Sequence, residues 1–179
     1  MRPRLLATLL SSLLLVTAAD ADPAAQKQGW EKKVIGNVHI ELPTDCKTDV
    51  QNTPRTGGAV QKMTKFSFRT HVLDLELVFL LFPPGMGGNL DGAAANMSSQ
   101  LKAASGEQSL TPWKTTTVSG RPARYIATKP DRTHEARQAT LIDDTKVKNQ
   151  LVIVDISYDS SSTSGKADCE RIMKSVEIR

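Results

Sequence analysis

Four sets of side chains in this sequence could do chemistry, and their spacing narrows what that chemistry is. The 3 histidines are His39, His71 and His134, and none has another histidine at a metal-ligand spacing. His134-Glu135 and Asp143-Asp144 could bring nitrogen and oxygen ligands together across a hairpin. A usable metal site needs three or four converging ligands and an oriented outer shell, so solvated turn residues are the simpler reading. Nucleophilic hydrolysis finds no G-x-S-x-G elbow and no serine or cysteine beside a histidine. Gly85-Met86-Gly87-Gly88 lies between an apolar run and a helical pattern, where phosphate cradles occur. It has neither G-x-G-x-x-G nor G-K-S/T, and Pro83-Pro84 precedes it, so it reads as a flexible connection. No catalytic residue, metal or cofactor is expected.

The remaining two sets are the cysteines and a cluster of cations. Cys46 and Cys169 are the only cysteines. Two thiols exclude a disulfide-rich scaffold and a four-cysteine zinc site. In an oxidising compartment they are expected to pair; the alternative is two separate buried thiols. Lys114, Arg121, Arg124, Lys129, Arg132 and Arg137 crowd one segment against only Asp131 and Glu135. The whole chain of 179 residues carries only +4, so the excess is local. Such a patch could meet an anionic partner such as a lipid headgroup, an acidic glycan or an acidic protein face. The alternative is a wet strand face whose cations protect a sheet edge. Nucleic acid is not expected, because aromatic residues for base stacking make up only 4% of the chain.

The address of the chain bears on these readings. Arg2 and Arg4, the apolar run Leu5 to Val16 and the small-residue site Ala19-Asp20-Ala21 form a secretory signal over 1–21, cut after Ala21. The apolar run is shorter than the ~20 residues a spanning helix needs. A periplasmic or secreted location follows. Residues 22–29 read as a loose leader and 30–179 as a single domain.

Elements that would position these groups are legible from periodicity. Val38 to Leu42 alternates and stops at Pro43, a strand. Turn residues mark a loop over 52–58. Phe66 and Phe68 share one parity, while Leu73, Leu75 and Leu77 share the other, which places a hairpin near Thr70-His71. Val78 to Phe82 is continuously apolar, as in a strand buried on both faces. Leu90, Ala94, Met97, Leu101 and Ala104 form a helical stripe, with Asn89 or Asp91 as cap and Gly106 as stop. Strands follow over 113–118, from Ala123 to Ala127, over 138–142 and over 148–158, the last with Val152, Val154, Ile156 and Tyr158 on one face. Ser164 would cap a final helix that packs Ala167, Ile172, Met173 and Val176. The expected class is α+β, a mainly antiparallel sheet with helices packed on it.

This order, with "IELP" at 40–43, "SGRPARYIATK" at 119–129 and "DCERIMKSVEI" at 168–178, resembles the PsbP-like α/β/α sandwich. That superfamily includes the extrinsic PsbP subunit of photosystem II and small bacterial envelope proteins. The resemblance implies a non-enzymatic accessory or binding module whose partner is another envelope component or an anionic surface. It carries no catalytic or metal-binding residue across. Two other classes stay open: a small-ligand or metal carrier with a pocket between sheet and helix, and a hydrolase without a recognisable motif.

Overall fold

The computed structural model describes residues 29–53, 60–86, 89–105, 110–130 and 133–179. The expected signal 1–21, most of the leader, Gly106 and Arg132 lie outside them. The elements are β1 (Trp30–Ile35), β2 (Val38–Pro43), β3 (Lys47–Thr53), β4 (Lys62–Arg69), β5 (Leu73–Leu81) and α1 (Leu90–Ser105). They continue with β6 (Lys114–Val118), β7 (Arg121–Ala127), β8 (Glu135–Asp143), α2 (Thr145–Lys148), β9 (Gln150–Asp159), α3 (Thr163–Ser175) and β10 (Glu177–Ile178). No helix among the described residues is long and apolar enough to cross a membrane.

Seven strands form one antiparallel sheet in the order β3-β4-β5-β9-β8-β7-β6, and β1-β2-β10 form a second. Alternation divides the large sheet into two faces. One face presents Leu75 and Leu77 of β5, Ala136 and Ile142 of β8, and Val152, Val154 and Ile156 of β9. It is covered by the small sheet, through Ile35, Val38, Ile40, Leu42 and Ile178, and by Cys169 and Ile172 of α3. The opposite face presents Leu141, Leu151, Ile126 and Ala139, covered by Ala94 and Leu101 of α1. The class is α+β, as the periodicity predicts, with helices on both sides of an antiparallel sheet.

The hairpin at Thr70-His71 is present, and its register pairs Phe66 with Leu77 and Phe68 with Leu75. Asn89 caps α1, its Oδ1 accepting from the N–H groups of Asp91 and Gly92 at 3.1 Å. Several expectations need correction. The apolar run 78–82 is not buried on both faces: Val78 to Leu81 continue β5 and are only half-buried, Val78 and Leu80 on the α1 face and Phe79 and Leu81 on the other. Asn52 and Thr53 end β3, a strand that the turn-rich sequence obscured, and 54–58 lie outside the described residues. Lys148 does not open a strand: Thr145 to Lys148 form the one-turn helix α2, and β9 starts at Gln150. β1 and β10 form a second sheet that the single-sheet reading omitted.

Ser162 rather than Ser164 caps α3, accepting from the Gly165 N–H at 3.3 Å. Ala167 is exposed, and Gly165, Cys169 and Ile172 form the buried stripe. A Cβ at Gly165 would lie 2.6 Å from the carbonyl oxygen of Asp159, so only glycine lets α3 cross there.

One polar group sits at the junction of the layers. Asp144 has a fully buried side chain, and Arg121 reaches it through Nε at 2.5 Å. Its Oδ2 accepts from Asn37 Nδ2 at 2.7 Å and Gln150 Nε2 at 2.8 Å. Removing one partner of a buried ion pair costs about 3–5 kcal/mol, because the other charge stays buried and uncompensated. The Arg121 side chain keeps 14% exposure, which lets water relieve part of that. Asp144→Ala should therefore lose about 3 kcal/mol in urea unfolding. Arg124→Gln breaks a pair whose Asp91 partner is 77% exposed, and should change stability by less than about 1 kcal/mol. Equal losses for the two variants would contradict this assignment.

Candidate functional site

The described members of the cation cluster do not project from one face. Arg121 lies on the face of the large sheet toward the small sheet and is bound to buried Asp144. Arg124 and Arg137 project from the opposite face. Arg124 donates from Nε at 3.1 Å and Nη2 at 2.9 Å to Asp91 of α1. Arg137 forks onto Asp155, with Nε to Oδ1 at 2.7 Å and Nη2 to Oδ2. Lys114 and Lys129 are exposed, and Arg132 is outside the described residues. The crowding in sequence is thus split by strand parity into two faces, and three of the guanidinium groups are neutralised within the fold.

The histidine and acid groups weighed as metal ligands also stay apart. His134 precedes β8, Asp143 ends it and Asp144 follows, so the two groups are separated by a nine-residue strand about 27 Å long. Among the described residues, no group of three or more His, Cys, Asp or Glu is placed to hold a metal ion.

Cys46 and Cys169 are free thiols in this structure, with Cys169 buried and Cys46 half-buried. Both pack in the same core cluster, and Asp168 is close enough to Cys46 to act on it electrostatically. Burial pushes the Cys169 thiol up to about 12, and burial together with Asp45 pushes Cys46 up to about 11.

Two concavities lie beside the helices α3 and α1. The first, of about 530 Å³, runs between β6 and α3. Thr116 and Val118 of β6, Tyr125, Thr140, Met173 and Lys174 are among its walls. Burial raises the Tyr125 hydroxyl above the usual phenol range. Among the described residues β6 is the end strand of the sheet, and one of its edges carries no neighbouring strand there. The second concavity, of about 430 Å³, lies between α1 and the sheet. Its apolar surface comes from both layers, and its polar side is a row of four charges: Lys65, Glu76, Asp155 and Arg137. Lys65 Nζ donates to Glu76 Oε1 at 2.6 Å. Burial raises the Asp155 carboxyl above its ordinary range, against the pull of Arg137.

Of this row, only Arg137 stands out in the sequence. Lys65, Glu76 and Asp155 come from three different strands and become neighbours only through register. Their one signal is a charge at a strand position whose flanking residues are apolar: Phe66 after Lys65, Leu75 and Leu77 around Glu76, Val154 and Ile156 around Asp155.

No family model and no curated protein matches this sequence. Among solved structures, the fold is similar to the solution structure of cyanobacterial PsbP (CyanoP) from Synechocystis sp. PCC 6803. The TM-score is 0.57 at 11% identity, covering 90% of this chain and 99% of that one. A crystal structure of a Pseudomonas aeruginosa protein of unknown function matches with a TM-score of 0.45 at 10% identity, covering 84% and 97%. The chain has the PsbP-like fold that its element order resembles.

The thiols give a pH test. In the unfolded chain both ionise near their ordinary value of 9.0, and in the folded chain only near 11 and 12. Between these limits the unfolded state binds fewer protons, so rising pH favours unfolding. Reduced protein should lose stability from about pH 9 upward, and Cys46→Ala should lose less over the same range, read from urea midpoints at pH 8 and pH 10. Parallel pH curves for the two proteins would show that the Cys46 thiol is not buried in this way.

Proposed function

We propose that this chain is a non-enzymatic accessory module of the cell envelope, exported by its N-terminal signal, that binds another envelope component. The observation that carries this reading is the groove along β6. There a sheet edge with no neighbouring strand among the described residues, an apolar wall of Met173 and Val176, and the cations Lys114 and Lys174 meet in one place. An extended segment can add to such an edge through main-chain hydrogen bonds and set alternate side chains into the groove. The PsbP-like fold supports the same class. The basic-surface idea contracts accordingly: among the described members of the sequence cluster, Lys114 lines this groove, and Lys174 of α3 joins it.

The cavity under α1 favours a second reading, a carrier of a small ligand, since its volume falls within the ~300–1,000 Å³ usual for small-molecule sites. We also propose that Cys46 and Cys169 join in a disulfide once the chain reaches an oxidising compartment. Their shared core cluster supports this, and a loop near 100 residues is worth about 4.7 kcal/mol in the chain-entropy model. Thiol counting on denatured, unreduced protein from the envelope should find none free; two alkylatable thiols would refute the bond.

The binding reading is tested by capture from an envelope extract with wild type and with a Lys114→Glu, Lys174→Glu variant. The variant should keep its circular dichroism spectrum and lose the captured component, and wild-type capture should weaken with salt. A component held equally by both proteins would remove the groove from the proposal. Arg121 is unsuitable for such a test, because its change would disturb Asp144.

A further inference from the structure

α1 packs over β7 and β8, where Leu101 meets Ile126 and Ala139. It still packs Ala94 against Leu151 of β9, but toward β5 and β4 its cover thins, and the gap beneath it is the cavity of about 430 Å³. Its floor is Val78, Leu80 and Ile153, and its roof includes Met97. Met97 is an unbranched side chain that adapts to irregular apolar shapes. On the polar side, the register sets Glu76 of β5 opposite Asp155 of β9, with Lys65 of β4 and Arg137 of β8 diagonal to them on the outer strands, an oblique row of four charges. The signs run plus, minus, minus, plus. Glu76 and Asp155 are direct cross-strand partners, and each is held by the cation on its outer side. Asn96 and Gln100 face the same space from α1 and add amide groups without charge.

Two properties of this row decide what could lie against it. Its charges sum to zero, so a ligand head with a net charge finds no unmatched counter-charge. Such a head would lose its hydration in a half-enclosed site without compensation. Yet the row is dense in hydrogen-bonding capacity: the Lys65 ammonium has three N–H donors and gives one to Glu76, and the two amides both donate and accept. The rest of the cavity is apolar. We infer that the cavity binds a single-chain amphiphile with an uncharged, hydrogen-bonding head, of the monoacylglycerol or fatty-amide class, its alkyl chain on Val78, Leu80 and Ile153 and its head on the charged row. This rests on the carrier reading given above.

The experiment is isothermal titration calorimetry of the full mature chain with three probes that share a chain length, each below its micelle concentration. They are monodecanoylglycerol, decanoate and decyltrimethylammonium. Monodecanoylglycerol should bind at least about tenfold more tightly than either ion, the factor expected when one head leaves an uncompensated charge and the other does not. Lys65→Gln leaves the row with a net negative charge, and should raise the affinity for decyltrimethylammonium at least about tenfold. Ala93→Trp or Met97→Trp fills the cavity from the helix side; whichever keeps the wild-type circular dichroism spectrum should lose monodecanoylglycerol binding. Decanoate or decyltrimethylammonium binding wild type as tightly as monodecanoylglycerol would overturn the head class and leave the carrier reading standing. Retention of binding in a folded filled variant would overturn the location. If none of the three probes binds wild type, the carrier reading falls too.

Discussion

A single carboxylate fixes how the layers of this molecule meet. Asp144 is cut off from solvent, and the groups that satisfy it come from three separate hairpins. Asn37 belongs to the turn between β1 and β2, Arg121 opens β7, and Gln150 opens β9. Gln150 Nε2 also donates to Asn37 Oδ1 at 2.9 Å, so the donors are held to one another. The backbone extends the junction: the N–H of Arg179 donates to the Asn37 carbonyl and that of Ile178 to Ser119 Oγ. A buried charge of this kind tolerates no partial solution, because any missing partner leaves an unsatisfied group in a low dielectric. The small sheet, the β6–β7 turn and the C-terminal strand are thereby locked onto the same end of the large sheet. Ser119 and Gly120 both take positive φ in that turn, which matches the twist of a two-residue hairpin and aims Arg121 inward.

Strand parity then distributes the chemistry. Arg121 and Arg124 stand three residues apart on β7, and that odd spacing sends them to opposite faces. Arg121 closes the junction with the small sheet, whereas Arg124 holds α1 through Asp91. Arg137 faces the α1 side as well, but Asp155 on the adjacent strand takes its fork. Three cations that look like one patch in the sequence are separate structural ties. What remains for recognition is the set of groups that the core leaves at its borders.

The sequence made the periodic parts of this fold legible. The change of parity between Phe68 and Leu73, the stripe from Leu90 to Leu101 and the run from Val152 to Tyr158 each carry one periodicity over enough residues to be read alone. Elements whose stability comes from other layers were harder to see. β1 has buried pattern at Ile35 only, and its middle is Glu31-Lys32-Lys33, so nothing local marks it as a strand. β10 is two residues long and exists because β2 offers it a partner. At the start of α3 the hydroxyls of Ser160 to Ser164 are locally equivalent, and Ser162, not Ser164, takes the cap. The stripe Gly165, Cys169, Ile172, Val176 keeps the spacing of four, three and four, and was readable had Cys169 been counted as apolar. The charged row could not be read in the same way, since Lys65, Glu76, Asp155 and Arg137 meet only through the pairing of four strands.

The two concavities follow from a mismatch of widths. Seven strands at about 4.8 Å spacing span about 29 Å between the outermost two, while a helix with its side chains is about 10–12 Å across. One helix therefore cannot cover a face of this sheet. On the α1 side, coverage ends beyond β8 and β9, and the uncovered strip is stabilised by charges that neutralise each other across strands. On the other side, α3 and the small sheet together extend further, but α3 sits over β5, β9 and β2 and leaves the β6 end open. The chemistry at each border reflects what must be tolerated there. At the β6 edge, short threonine-rich pairing with lysines at its margin limits sheet-to-sheet association while leaving hydrogen-bonding groups within reach of a partner. Under α1, the floor stays apolar because the core continues beneath it, and only paired charges can stand beside such a floor without a large desolvation penalty. The binding surfaces proposed for this fold are thus the places where its covering layers run out.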